Sequence, residues 1–211
     1  MKYSYLFFVL TLLAACTGGR STRGEDLAFT AAQRSMIMDA SGDVPMRVYK
    51  IDNYSDSILL RTPSARVEPD LSDAVLSRFI DRLYATVRDS MSMGVGIAAP
   101  QVGILKRVIW VQRFDKEGYP FEVYLNPTIT EYSDKTQQCR EGCLSIPNRS
   151  DTLNSRAYSI TIDYDRRDGT HHTEVVDDFT AVIFQHEIDH LDGILYLDHL
   201  ARERREARGS W

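Results

Sequence analysis

The sequence predicts an α+β fold in which antiparallel β-sheets surround one central helix that carries the motif H-E-x-x-H. Turn dipeptides at residues 117–118 and 168–169 each separate two short segments rich in β-branched and aromatic residues, as in antiparallel hairpins. The motif at residues 186–190 follows an apolar stretch with helical spacing. With 211 residues, 43% of them apolar, the chain is long enough to bury a sizeable core around that helix.

Charge and cysteine content narrow the class of protein. The formal net charge of -5 gives no electrostatic footprint for nucleic acid, so we expect no nucleic-acid partner. Three cysteines do not make the framework of a disulfide-rich domain. No internal repeat is visible, and we expect a monomer.

The N-terminus has the pattern of an export signal. Lys2 provides a short basic region, and residues 6–14 form an apolar run that is too short to span a bilayer. Small residues directly before Cys16 resemble a bacterial lipobox, which implies that the cysteine is lipidated after cleavage. The alternative is an ordinary apolar helix that packs on the domain. We therefore expect a lipoprotein anchored in the membrane of the cell envelope, facing the periplasm or the cell exterior.

This interpretation divides the chain into three parts. Residues 1–15 are the lipoprotein signal peptide, residues 16–57 a tether and N-terminal extension, and residues 58–211 the catalytic domain. Within the extension we expect a short helix over residues 31–38 and a strand over residues 46–51. Two roles of the extension are compatible with its sequence: a spacer, or a flap over the domain.

A helix opens the main domain. Residues 70–73 contain the aspartates and serine that cap helix N-termini. The positions that follow carry a core-facing apolar stripe at helical spacing: Val75, Leu76, Phe79, Ile80, Leu83 and Val87.

Strands are expected at residues 107–112 and 121–125, and Asn126-Pro127 is expected to end the second of them. Residues 128–132 form a further strand that leads to the cysteines. Residues 157–164 and 173–176 form a hairpin. A polar loop at residues 148–156 and a solvated terminal helix at residues 195–206 complete the pattern.

The H-E-x-x-H motif indicates a metal site. Residues four apart lie on one face of a helix, so His186 and His190 can bind one cation. Glu187 then lies beside the same cation and can take a proton from metal-bound water. The alternative is an exposed helix face that happens to carry two histidines.

A hydrolytic site requires a third protein ligand. Tyr196 stands where the third histidine of the metzincin pattern would fall, and His199 lies beyond the expected end of the helix. His171 and His172 adjoin a hairpin turn and are expected to face solvent. The remaining soft ligand is the thiolate of Cys143.

Cys139 lies four residues before Cys143 and requires a separate interpretation. It can be a second ligand, a disulfide partner or a residue without a role in the site. A disulfide would consume the thiolate that the metal requires. We favour the third interpretation, with oxidation as a risk in an oxidising compartment.

Three blocks now carry a resemblance to one family. Residues 94–101 (GVGIAAPQ), 141–145 (EGCLS) and 186–193 (HEIDHLDG) resemble, in this order, the blocks of peptide deformylases. The resemblance covers the chain from about residue 58 to about residue 200. It implies a peptide-deformylase-like fold and hydrolysis of the N-formyl group from N-formylmethionyl peptides, with release of formate.

The resemblance also implies a role for each site residue. Cys143, His186 and His190 would hold one divalent ion, iron(II) in most deformylases, although this donor set also suits zinc or nickel. In an exported protein, zinc would compete with iron(II) for this site. Gln101 and the N–H of Leu144 would donate hydrogen bonds to the formyl oxygen, with Glu187 as general base.

The remaining expected contacts are with the peptide substrate. The glycines at positions 94 and 96 would let the backbone approach the substrate closely. The residues expected to bind substrate or to wall a pocket for its methionine side chain are Val95, Gly96, Glu141, Gly142, Phe179, Val182 and Ile183.

The segment after Pro147 departs from the family pattern. It is about one residue longer and lacks the usual Val-Pro-Arg, for which Arg156 is the candidate replacement. Export also conflicts with action on new chains at the ribosome, so we expect exported formyl peptides as substrates. A metallopeptidase or amidase on the same scaffold and a metal-bearing binding protein of the cell envelope are the alternatives.

Overall fold

The computed structural model describes residues 27–89 and 94–209. The expected signal peptide (residues 1–15), the lipidation site Cys16 and the tether that follows it lie outside these residues. Within the described residues, no helix combines the length and the hydropathy that crossing a membrane would require.

The N-terminal part of the described chain contains three helices, of which the first and the third were predicted. Helix α1 (Ala31–Met38) begins at a capping box formed by Thr30 and Gln33. A short helix α2 (Tyr54–Leu60) follows, and then helix α3 (Ala74–Arg88). The predicted cap of α3 is confirmed, since the Asp73 carboxylate accepts hydrogen bonds from the N–H groups of its first turn.

The prediction of a strand over residues 46–51 is wrong. This segment has no regular secondary structure, and its backbone hydrogen bonds are made to turns instead of to a strand. The N–H of Tyr49 donates to the carbonyl of Gln101 at 2.7 Å, and the N–H of Ile51 donates to the carbonyl of Ser145 at 3.0 Å. These two bonds connect the segment to the turns that carry Gln101 and Leu144 of the predicted site.

A five-stranded antiparallel sheet forms the centre of the fold. In spatial order its strands are β1 (Gly96–Ala98), β2 (Val108–Gln112), β3 (Phe121–Tyr132), β6 (Ser159–Asp165) and β7 (His171–Asp177). Both predicted hairpin turns are present, and their glycines have φ values of 77° at Gly118 and 81° at Gly169. Glycine suits such turns because a Cβ disfavours positive φ.

The predicted break at Asn126-Pro127 is wrong. Strand β3 continues through it, with a register shift between Leu125 and Thr128. Asn126 adopts φ 52°, which asparagine tolerates better than most residues. Its side chain accepts from the N–H of Val67 at 2.8 Å and donates to the carbonyl of the same residue at 2.9 Å. These bonds hold a bulge where the sequence suggested an end.

A separate two-stranded sheet carries the cysteines. Strand β4 (Thr136–Cys143) pairs with strand β5 (Ile146–Ala157). The segment 148–156 is thus strand and not the polar loop that we expected. Its polarity misled the interpretation because most of its side chains remain accessible, whereas Leu153 is buried.

Helix α4 (Asp178–Leu191) lies between the two sheets and contacts both. Its apolar residues, among them Ala181 and Phe184, pack with the buried side of the large sheet. The helix ends before Gly193, where φ is 74° and a Cβ would lie 2.5 Å from the carbonyl oxygen of Arg61. Helix α5 (Tyr196–Gly209) then packs against β5. The predicted α+β arrangement around the H-E-x-x-H helix is confirmed.

Candidate metal centre

Three potential ligands meet where the end of β4 faces α4. One ligand atom from each of Cys143, His186 and His190 lies within 4.8 Å of the other two. The Cys143 Sγ is 3.2 Å from Nε2 of His190, and the two imidazole rings are 5.1 Å apart between centroids. The helical spacing therefore brings both imidazoles to the same sulfur.

The protonation state of the sulfur suits a metal ligand. Burial alone would raise the pKa of the Cys143 thiol, but the imidazoles of His190 and His186 hold it well below its ordinary value. The thiolate is the form that binds metals. Within the described part of the chain, Nδ1 of His190 and Oε2 of Glu187 are buried without hydrogen-bond partners. One sulfur and two imidazole nitrogens in this polar pocket fit a single divalent ion such as zinc, iron(II) or nickel.

A chain of charged groups fixes the orientation of His186. Its Nδ1 lies 2.8 Å from the Glu141 carboxylate, so Nε2 is the nitrogen left for a metal. Arg156 donates to both oxygens of that carboxylate at 2.7 and 2.9 Å, and to Asp189 at 2.7 Å. Burial opposes ionisation, yet the bonds from His186 and Arg156 hold the pKa of Glu141 at about 2. Arg156, the candidate replacement for the family's arginine, thus helps to keep Glu141 ionised.

Glu187 lies in direct contact with the backbone of β1. A Cβ added to Gly96 would stand 2.5 Å from Oε1 of Glu187 and 2.9 Å from Cγ2 of Ile183. Glycine is therefore required at this position by close packing. Burial raises the pKa of Glu187 to about 7, which suits a group that accepts and returns a proton near neutral pH.

Gln101 is held beside the sulfur by its own backbone turn. Its Oε1 accepts from the N–H of Ala98 at 2.9 Å, which leaves the amide nitrogen directed inward. That nitrogen lies 3.5 Å from the Cys143 Sγ and 3.3 Å from the hydroxyl of Ser145. The side chain is 2% exposed, so it is a fixed donor at the metal position and not a surface amide.

A cavity of about 340 Å³ opens beside these groups. Gln101, Leu144, Cys143, His186 and Glu187 all contribute to its lining, whereas His190 is buried behind it. Every residue predicted to contact substrate also lines it: Val95, Gly96, Glu141, Gly142, Phe179, Val182 and Ile183.

Two further lining residues were not assigned to the site from sequence. Cys139 is a free cysteine in the cavity wall and is not one of the three clustered ligands. Strand alternation would have placed it on the same face as Glu141 and Cys143. Arg140 also lines the cavity.

An H-E-x-x-H helix enclosed by antiparallel sheets, with a cysteine as third ligand and a buried carboxylate at an open cavity, defines a metal-dependent hydrolase. The comparisons with known proteins agree with this class. The chain belongs to the polypeptide deformylase family, whose model matches residues 48–206. The match begins ahead of residue 58, at which we divided extension from domain.

Curated and solved relatives resemble most of the chain. A peptide deformylase of Agrobacterium fabrum is 39% identical over 154 residues, which are 71% of this chain and 88% of the relative. One of Desulforudis audaxviator is 39% identical over 161 residues, 72% of this chain and 94% of the relative. The crystal structure of a class I type b peptide deformylase from Acinetobacter baumannii, bound to Met-Ala-Ser, has a TM-score of 0.65 and 35% identity, covering 74% of this chain and 99% of that one.

Proposed function

We propose that this protein hydrolyses N-formylmethionyl peptides at the Cys143, His186 and His190 site and releases formate. Deformylation is the activity of the family to which the chain belongs. The observation that carries the assignment of residues is the convergence of those three ligands beside the buried Glu187 and the inward amide of Gln101.

Each polar group has a distinct task in this reaction. Cys143, His186 and His190 would hold one divalent ion, which would supply Lewis-acid activation of water. Glu187 accepts a proton from the attacking water and passes it to the leaving amine. Gln101 Nε2 and the N–H of Leu144 donate to the carbonyl oxygen as negative charge develops there, which can stabilise the transition state by about 3 kcal/mol per donor.

The substrate enters as an added strand. β1 is an edge of the large sheet and β4 is in the small one, and residues of both line the cavity. An extended peptide between them can form backbone hydrogen bonds while one side chain enters a pocket. The apolar lining residues suit a methionine side chain: Val95, Phe179, Val182 and Ile183. The Acinetobacter relative was crystallised with Met-Ala-Ser, which supports a methionyl peptide as the ligand.

For the metal we propose iron(II), by family resemblance, with zinc as the competitor. Both accept one thiolate and two imidazoles. We also propose that the protein acts as a monomer, because a single chain supplies all three clustered ligands and the cavity lining.

For the location we propose the cell envelope, with a lipid on Cys16 as anchor. The support is the basic, apolar and small-residue pattern of residues 1–16, followed by polar residues that can act as a tether. A protein in that place meets formyl peptides that have left the ribosome, such as released signal fragments.

Formate release from formyl-Met-Ala-Ser tests the function. The full chain, loaded anaerobically with iron(II) or zinc, is expected to release formate. Glu187→Ala is expected to keep its metal and lose about 10²–10⁴-fold in kcat, because the proton acceptor is gone. Glu131→Ala, which removes an exposed carboxylate that does not line the cavity, should behave as wild type.

Three outcomes would contradict the proposal. Unchanged turnover in Glu187→Ala would remove that residue from its role. Cleavage of an internal amide without formate would favour a metallopeptidase or amidase. Bound metal without any turnover would favour a metal-bearing binding protein.

A further inference from the structure

We propose that Arg140 binds a substrate carboxylate, so that the site favours short formyl peptides with a free C-terminus. This inference rests on the proposed function and adds a substrate class to it. It starts from an arginine that lines the substrate cavity and has no carboxylate partner within residues 27–89 and 94–209.

Arg140 is exposed on β4 and lines the cavity. Its guanidinium donates to the hydroxyl of Ser150 from Nε at 2.9 Å and from Nη2 at 2.7 Å. That hydroxyl is neutral, and Arg140 has no carboxylate partner among the described residues. A guanidinium has five N–H donors, so further donors remain free for a ligand.

The other arginines of the same hairpin differ. Arg149 is paired with Asp151 at 2.7 Å. Arg156 is buried between Glu141 and Asp189, with 2.7 Å to each. On this hairpin, therefore, only Arg140 keeps its charge available to a ligand.

The cavity lining offers no competing cation. Among its described residues, Arg140 is the only lysine or arginine. The lining carboxylate of Glu141 is already bonded to Arg156 and His186. A planar guanidinium binds a carboxylate in a bidentate manner, so a substrate carboxylate is the ligand that this charge fits.

The separation of Arg140 and Cys143 along β4 sets the length of that substrate. Arg140 precedes Cys143 by three residues, which is about 10 Å for a regular strand, and the register of β4 shifts between Gly142 and Cys143. An extended tripeptide whose formyl group lies at the Cys143 end, and which runs antiparallel to β4, also spans about 10 Å to its terminal carboxylate. The geometry points to a free carboxylate about three residues from the formyl group.

The test compares formyl-Met-Ala-Ser with its C-terminal amide, using the metal-loaded full chain. We expect kcat/KM to be about three- to fivefold higher for the acid, as for a solvent-accessible ion pair. The difference should lie in KM and not in kcat, because the carboxylate is remote from the reacting carbonyl. It should shrink as salt is added, since salt screens exposed charges.

Variants then assign the preference to one side chain. Arg140→Gln is expected to abolish it by raising KM for the acid alone, whereas Arg140→Lys retains part of it. Arg149→Gln, on the same hairpin but absent from the cavity lining, is the matched control and should keep the full preference. Equal constants for the two peptides in the wild type, or a preference that survives in Arg140→Gln, would overturn the inference. If neither peptide releases formate, the proposed function itself fails.

Discussion

At the scale of single residues, position 96 requires glycine for a reason that the sequence alone did not reveal. We expected this glycine to allow close approach of a peptide. In the structure the close neighbour is Glu187, with 2.5 Å between its Oε1 and the position of an added Cβ. A side chain at residue 96 would therefore displace the Glu187 carboxylate, which we propose as the proton acceptor.

Replacing this glycine should damage catalysis more than metal binding. For Gly96→Ala we expect kcat to fall about 10²-fold, because misplacing a catalytic group by about 1 Å has an effect of that size. The three metal ligands do not contact the added methyl among its nearest neighbours, so metal content should be retained. Formate release and metal analysis check both statements.

Gly209→Ala is the control, because an added Cβ there meets nothing within 4 Å. A Gly96→Ala enzyme with wild-type kcat would show that Glu187 can move without loss, contrary to our account of its position.

At the scale of elements, sequence patterns found most helices and strands but misread β3 at Asn126. Proline usually excludes a central strand, and the Asn-Pro pair therefore suggested an end. The strand survives because Asn126 forms a bulge whose amide is satisfied by Val67 and by Asp165 at 2.8 Å. Both partners are remote in sequence, so no local pattern could indicate them.

The carboxylate of Asp165 connects this bulge to its neighbours. It accepts from Asn126, from Arg66 at 3.0 Å and from Nδ1 of His171 at 2.9 Å. Burial opposes ionisation, but the bonds from His171 and Asn126 hold the pKa of Asp165 below its ordinary value. The ionised form therefore stabilises the folded chain.

This lowered pKa predicts acid sensitivity. The unfolded chain binds the proton more readily, so the stabilisation is full above about pH 4 and is lost as pH falls through the folded pKa. We expect Asp165→Asn to lower the free energy of unfolding at pH 7 by about 1–3 kcal/mol, and to make it fall less steeply in acid. Denaturant unfolding between pH 7 and pH 3 measures both effects.

Asp163→Asn is the comparison on the same strand. Asp163 is only partly buried and accepts from Thr173 on the neighbouring strand. Its replacement should change stability by about 0.5 kcal/mol or less. Equal pH profiles for wild type and Asp165→Asn would exclude Asp165 as the source of the acid sensitivity.

At the scale of the whole molecule, the site forms because distant segments pack on one helix. The turn with Gln101 and helix α4 are both far in sequence from the end of β4. Side chains from both nevertheless contact Cys143 there. Residues 49 and 51 add backbone bonds to the loops of Gln101 and Ser145. This segment, which lies at the start of the region matched by the family model, is thus part of the support of the site.

The proposed anchor makes a prediction about where the molecule resides. Expressed in a bacterium, the wild type should incorporate radioactive palmitate and fractionate with membranes, because a lipidated cysteine partitions into the bilayer. Cys16→Ser should lose the label and the membrane association, while Cys139→Ser should keep both. Label that persists in Cys16→Ser would end the proposal of a lipid on that residue.

The sequence by itself predicted the three candidate metal ligands, the carboxylate proposed as general base and the helix that carries two of those ligands. These follow from spacing within one helix and from short blocks, which are local properties. It also predicted the two hairpins with turns at residues 117–118 and 168–169, because turn chemistry is local as well, but it missed the hairpin of β4 and β5.

Only the tertiary structure decided how these groups are supported and what else faces the substrate. The links from Arg156 to Glu141 and from Glu141 to His186, the contact of Glu187 with Gly96, and the free charge of Arg140 all depend on packing between remote segments. Such pairings are set by burial and by the need to compensate buried charge, and these quantities are defined only once the chain has folded.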